Sequence, residues 1–150
     1  MRLTTANINQ IGNIVRMSKA AFESDISVGG KCGDYPPEYD SMEWHLEMAE
    51  KGHLYQAMVG DLIIGAAILF YNEESKNLYV GRIFVDTLYH GKGYGIDLMK
   101  CVENVYTDVN EIFLNTPLWN IRTNSFYKKL GYIEVKKEDG FCFYQKKIER

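Results

Sequence analysis

The chain has 150 residues, 46% of them apolar, which is enough for the core of one domain and too few for two ordinary ones. A formal charge of −3 gives no basic field over the molecule, which argues against nucleic acid as a partner and requires any anion site to be local. No apolar run approaches a membrane span and MRLTTANINQ lacks a signal peptide's apolar stretch; Cys32, Cys101 and Cys142 suit neither a disulfide framework nor a zinc site, so a cytoplasmic chain with reduced cysteines, no metal and no membrane contact is expected.

In chain order, RLTT reads as a short strand, and Ile8, Ile11, Val15 and Phe22 fall on the stripe of an amphipathic helix over 8–22. GGKCGDYPPEYD is irregular, because its glycines and paired prolines favour turns. Helix resumes with Asp40 as cap, Glu43 reaching back, Met42, Leu46 and Ala49 as its apolar stripe, and Gly52 as its stop. HLYQAMV, the turn Gly60-Asp61 and LIIGAAILFY form a hairpin whose second strand is buried on both faces, and the polar turn NEESKN leads to a third long strand, LYVGRIFVD. Ile96, Met99, Val102 and Tyr106 mark the next helix, followed by the strand EIFLNT. Strand, helix and strand in so short a span predict a parallel pair joined by a right-handed crossover. A last helix over 120–130 stops at Gly131, and the chain ends in the hairpin YIEVKK, EDG, FCFYQKKI. The elements predict an α/β fold whose mixed sheet is antiparallel at both ends.

Between the third strand and its helix lies LYHGKGYGIDLM, with Gly91, Gly93 and Gly95 at alternate positions. Glycines there let backbone N–H groups converge, and the helix start adds unpaired donors and the positive end of its dipole, a combination that favours a diphosphate. A glycine-rich turn without a ligand is the alternative. There is no Gly-Lys-Ser/Thr for a P-loop, and Gly-x-Gly-x-Gly is not the dinucleotide spacing Gly-x-Gly-x-x-Gly.

In IFVDTLYHGKGYGIDLM, Val85 is followed by the run His90, Gly91, Lys92, Gly93, Tyr94, Gly95. Downstream, NIRTNSFYKKLGY sets Tyr127 seven residues after Asn120, with Lys129, Gly131 and Tyr132 behind it. This ordered pair, covering roughly residues 78–135, resembles the GNAT superfamily of acyl-coenzyme A dependent N-acetyltransferases. The resemblance implies a single domain over 1–150 with helices on both faces of the sheet and a wedge-shaped opening between the two parallel strands. It also implies acetyl-CoA as co-substrate, residues 90–95 on its diphosphate, Asn120 on its pantetheine arm, Tyr127 on its thiolate, and a homodimer, for which the C-terminal hairpin is the candidate edge. His90 stands where the family pattern has Arg or Gln; a neutral imidazole still donates one hydrogen bond, and Lys92 offers charge.

The chemistry of acyl transfer from a thioester asks for three things: donors for the diphosphate, an open strand edge for the pantetheine amides, and a polar site at the reacting carbonyl. Backbone N–H near Phe84 and Val85 is expected to stabilise the oxyanion, and Tyr127 to protonate the departing thiolate. The competing reading of FY at helical spacing is core packing, and that of Asn120 an N-cap. For a general base, Tyr79, Asp86, Glu43, Glu47 and His45 are all candidates, and none is singled out. Residues 23–50 hold eight acids against Lys31, a net −7 that leaves +4 elsewhere: either a solvated helix face or a rim that attracts a cationic amine acceptor. Trp44, Tyr35 and Tyr39 line that acceptor pocket or cover the core edge, and KCGDYPPEYD is a candidate lid. Arg82 is expected to pair with Asp86 along one strand face. Three function classes follow: an N-acetyltransferase, a non-catalytic acyl-CoA binding domain, and an interaction protein whose glycine loop is only a turn.

Overall fold

The computed structural model describes residues 1–31 and 33–149, so the expectation of a reduced Cys32 falls outside the described residues. Seven strands form one mixed sheet: β1 (Arg2–Thr5), β2 (Leu54–Val59), β3 (Leu62–Asn72), β4 (Asn77–Val85), β5 (Glu111–Pro117), β6 (Ile133–Glu138) and β7 (Phe141–Lys147). Their spatial order is β1-β2-β3-β4-β5-β7-β6, antiparallel throughout except for the β4–β5 pair. Four helices accompany them: α1 (Ile11–Glu23), α2 (Met42–Glu50), α3 (Tyr94–Asn104) and α4 (Ile121–Lys129). Among the described residues no helix is long and apolar enough to cross a membrane.

The sheet divides two cores, one under each helix pair. Ile11, Ile14 and Met17 of α1 and Met48 of α2 pack on Leu54, Ile68 and Phe84. On the other face Leu98, Met99 and Val102 of α3 and Tyr127 of α4 pack on Leu78, Val80, Ile112 and Leu114. The parity of β4 changes between these groups. Leu78 and Val80 face the α3 core, yet so do Ile83 and Val85, because Gly81 is left over between the pairs Leu69↔Val80 and Ile68↔Arg82. This bulge turns Arg82, Phe84 and the following Asp86 toward α1. A Cβ at Gly81 would stand 2.7 Å from the Phe70 ring.

Parallel pairing of β4 with β5 covers only Asn77↔Glu111, Leu78↔Ile112 and Tyr79↔Phe113. Beyond the bulge the two strands part, so the second half of β4 has antiparallel β3 on one side and an opening on the other. The wedge expected between the parallel strands is present.

Several local expectations change. Ser41, not Asp40, caps α2: it has extended backbone angles and its hydroxyl accepts from the Trp44 N–H at 3.0 Å. With that start, His45 and Met48 are the buried side of α2 and Met42 is exposed. Ile8 precedes α1 in a 3-10 turn and is exposed, and the inner side of α3 is Leu98, Met99 and Val102 rather than the exposed Ile96. Tyr106 lies past the end of α3 and stacks on Tyr71, ring centroids 4.2 Å apart. Arg82 and Asp86 share a face without pairing: Asp86 meets Arg16 at 3.0 Å, while Arg82 donates to the Pro37 carbonyl at 2.6 Å and lies over the Trp44 ring. The C-terminal hairpin does stand at the edge of the sheet, with β7 paired on both sides and β6 outermost.

Candidate functional site

The glycine segment begins where β4 stops. Asp86, 1% exposed and paired with Arg16, accepts from the Leu88 N–H and starts the 3-10 turn Thr87–Tyr89. Gly91 and Gly93 have φ of 76° and 80°, and a Cβ at either would touch nothing within 4 Å, so the backbone conformation and not space requires glycine there. Gly93 precedes α3 and no side chain caps that helix, which leaves the first-turn N–H groups open beside the loop. The His90 ring folds back, its Nε2 donating to the Val85 carbonyl at 2.7 Å.

This loop borders a cleft of about 330 Å³ at the opening beyond the bulge. Ile83, Phe84 and Val85 form its β4 wall, Leu98 its floor on α3, and Arg122, Thr123, Phe126 and Tyr127 its α4 wall. From the other side of the sheet come Ala21, Phe22 and Asp25, at and beyond the end of α1. Of the residues singled out from the sequence, Phe84, Val85, His90, Gly91, Gly93, Tyr94, Gly95 and Tyr127 line this space. Lys92 is exposed and Asn120 is 2% exposed; neither is on the lining. Asn120 caps α4 with its Oδ1 accepting from the Thr123 N–H at 3.1 Å, and its amide also supports the Asp25 carboxylate.

Tyr127 is 5% exposed and its ring meets those of Phe126, Tyr132 and Tyr144 at centroid distances of 5.3, 5.8 and 6.0 Å. Burial among them pushes its phenol well above the usual tyrosine range, so it stands in the cleft wall as a neutral O–H.

Two charged lining residues were not singled out from the sequence. Asp25, in the 3-10 turn Ser24–Val28, and Arg122, in the first turn of α4, form an ion pair at 2.7 Å. Burial raises the Asp25 carboxyl above its ordinary value, outweighing the opposite pull of Arg122. A signal for Arg122 exists: stepping back four residues from Tyr127 and from Phe126 reaches Thr123 and Arg122. None exists for Asp25, one acid of eight in its segment.

The five candidate bases lie elsewhere. Asp86 is committed to Arg16; Glu43 is exposed and so is Glu47, paired with Lys51; the Tyr79 hydroxyl accepts from Asn115. His45 is fully buried, its Nδ1 donating to the Ser41 carbonyl at 2.7 Å, and burial holds its pKa down. The Tyr35 and Tyr39 rings meet at a tilt of 41° with centroids 4.7 Å apart and the Tyr39 hydroxyl donates to Glu23, so these rings cover the edge of the α1 layer and line no part of the cleft.

The family model described as "Acetyltransferase (GNAT) family" matches residues 19–132. The chain belongs to this family. Among curated GNAT-like relatives, thialysine N-epsilon-acetyltransferase of Bos taurus is 28% identical over 90 residues, 56% of this chain and 53% of that protein. N-alpha-acetyltransferase 30 of Xenopus laevis is 30% identical over 88 residues, 55% of this chain and 32% of that protein. The match thus spans about half the length of these relatives or less. The GNAT fold itself extends over nearly the whole chain. A PaiA N-acetyltransferase from Thermoplasma acidophilum, solved with coenzyme A, superposes with a TM-score of 0.81 at 17% identity, covering 98% of each chain. A GNAT family acetyltransferase from Streptococcus agalactiae gives 0.85 at 17% identity, covering 99% of this chain and 96% of the other.

Proposed function

We propose that the chain transfers the acetyl group of acetyl-CoA directly to a primary amine of a small molecule or peptide. The observation that carries this reading is that one cleft joins the open donors of the glycine loop, the unpaired flank of β4 and the Tyr127 phenol. The loop and the start of α3 take the diphosphate; the flank of β4 takes the pantetheine amides as an added strand would. The coenzyme A complex of the Thermoplasma acidophilum neighbour supports this tenant. The relatives' names, N-epsilon- and N-alpha-acetyltransferase, support nitrogen as the acceptor atom.

In the reaction, the neutral amine nitrogen attacks the thioester carbon and backbone N–H groups near Phe84 and Val85 hold the oxyanion. As the carbon–sulfur bond breaks, the thiolate takes the Tyr127 proton, and the proton shed by nitrogen passes through solvent to the Tyr127 oxygen, which restores the phenol. A phenol holds its proton at neutral pH with or without burial; burial makes Tyr127 the weaker acid, so the transfer is driven by the charge that develops on sulfur as the bond breaks. The test is thiol release from acetyl-CoA across polyamines, aminoglycosides, amino acids and peptides. Release above the amine-free rate with at least one of these is expected; coenzyme A binding with no release from any would favour an acyl-CoA binding domain.

A further inference from the structure

We propose that Arg122 and Asp25 are an exchange pair: Arg122 leaves Asp25 for a phosphate of the bound coenzyme, and the vacated carboxylate becomes the seat of a cationic amine. The proposal rests on reading the cleft as the coenzyme site and adds to it an order of events and an acceptor class.

The two residues are 97 positions apart and come from opposite sides of the sheet, with Arg122 Nη2 2.7 Å from Asp25 Oδ1. Their exposures differ. The Arg122 side chain is 45% exposed, on a long flexible stem, whereas Asp25 is 17% exposed on a short one. The backbone around Asp25 is held: Gly30 N–H donates to the Asp25 carbonyl at 3.0 Å. Gly29 and Gly30 also sit so close to Trp119 that a Cβ would lie 3.1 Å from its carbonyl and 2.9 Å from its ring. In an exchange, the guanidinium moves and the carboxylate stays.

Coenzyme binding supplies a reason to move. His90, where the resembled pattern has Arg or Gln, spends its Nε2 on the Val85 carbonyl, and Lys92 is off the lining. Arg122 is therefore the one Lys or Arg on the described lining of the cleft. A phosphate offers its planar fork two oxygens and more charge than the single carboxylate contact it now makes. Once Arg122 departs, Asp25 keeps the neutral Asn120 amide beside it, and burial no longer opposed by Arg122 drives the carboxyl toward protonation; a cationic amine is the partner that keeps it ionised. Ala21 and Phe22 on the same wall give an alkyl-ammonium chain an apolar surface to lie on. Coenzyme and amine then favour each other's binding reciprocally.

The experiment is calorimetry on the wild-type chain, Arg122→Gln, Arg122→Lys and Asp25→Asn with coenzyme A, 3′-dephospho-coenzyme A and pantetheine. Spermidine is then titrated with and without saturating coenzyme A. Arg122→Gln is expected to weaken coenzyme A by about tenfold or more while leaving pantetheine unchanged, with Arg122→Lys in between. An equal loss for the dephospho compound assigns the contact to the diphosphate, and a loss confined to coenzyme A assigns it to the 3′-phosphate; either supports the exchange. Asp25→Asn is expected to bind coenzyme A more tightly, because nothing competes for Arg122, and to lose the coenzyme-dependent gain in spermidine affinity seen with wild type. A brace that merely holds the fold predicts the opposite: Asp25→Asn weakening coenzyme A alongside Arg122→Gln. That result, an equal loss of pantetheine affinity, or a wild-type chain with no coenzyme-dependent gain for spermidine overturns the exchange. A wild-type chain that binds none of the three compounds overturns the coenzyme reading itself.

Discussion

Tyr127 carries the proposed chemistry through a single oxygen, so its removal should separate turnover from binding. Phenylalanine keeps the ring contacts with Phe126, Tyr132 and Tyr144 and removes only the proton. General-acid catalysis contributes about 10²- to 10⁴-fold, so Tyr127→Phe is expected to lower kcat by about that factor with coenzyme A affinity unchanged by calorimetry. Unaltered turnover would remove Tyr127 from the mechanism. A second residue-scale effect is on stability. His45 is fully buried, with the Ser41 carbonyl on Nδ1 and the positive Arg82 nearby. Burial, helped by Arg82 and opposed by Ser41 and Asp40, holds its folded pKa below the unfolded value of 6.5. The unfolded chain therefore takes up the proton first, and stability falls as pH drops through about 6.5, by at most about 1.4 kcal/mol per pH unit from this group. Melting followed from pH 7.5 to 5 should show this slope in the wild type and a shallower one in His45→Gln; equal slopes would refute the assignment.

At the scale of elements, the opening between β4 and β5 depends on how closely β3 approaches β4. A Cβ at Gly65 would fall 2.2 Å from the Phe84 carbonyl oxygen and 3.0 Å from Val85 Cα, both backbone, so neither neighbour can turn aside. Gly65→Ala must push the strands apart, an overpacking that costs about 3 kcal/mol and lowers Tm by about 6–12 °C. Because the displaced atoms belong to the β4 wall, coenzyme A affinity should fall as well. Gly12→Ala tests the opposite sign: in α1 its Cβ would meet only Met42 Cε at 4.0 Å, and helix propensity favours alanine by about 0.5–1 kcal/mol, a gain readable in the same melts. Most elements were legible because their periods are strong; β3 shows its burial as an unbroken apolar run, and Asp139 and Gly140, with φ of 51° and 83°, adopt the turn that EDG implies. What was not legible was set by packing across long separations. Nothing local shows that β7 inserts beside β5 or that Arg82 reaches to Pro37; Ser41 and Asp40 are both good capping residues, and the sequence alone does not choose between them.

For the molecule as a whole, the cleft is where the two cores meet. Phe22 and Phe84 belong to the α1 side, Leu98 and Tyr127 to the α3 side, and all four line the same space. The half of this site that follows β4 could be read from the sequence, since Gly91, Gly93, Gly95 and Tyr127 sit in ordered, spaced motifs. The other half could not, since Asp25 is drawn to Arg122 by folding alone and leaves no spacing behind. A ligand seated there touches α1, β4, α3 and α4 at once, so its binding energy should stabilise the cooperative unit and not a loose loop. At a concentration of 100 times Kd, coenzyme A is then expected to add about 2.7 kcal/mol, raising the Tm of a chain this size by about 5–10 °C. Backbone amide exchange should slow on both sheet faces, in α1 as well as in the glycine loop. Pantetheine at the same concentration, lacking the phosphates, should shift Tm less. A coenzyme A shift no larger than that of pantetheine would mean that the diphosphate is not the group the loop holds, and protection confined to residues 90–95 would mean that binding does not couple the two cores.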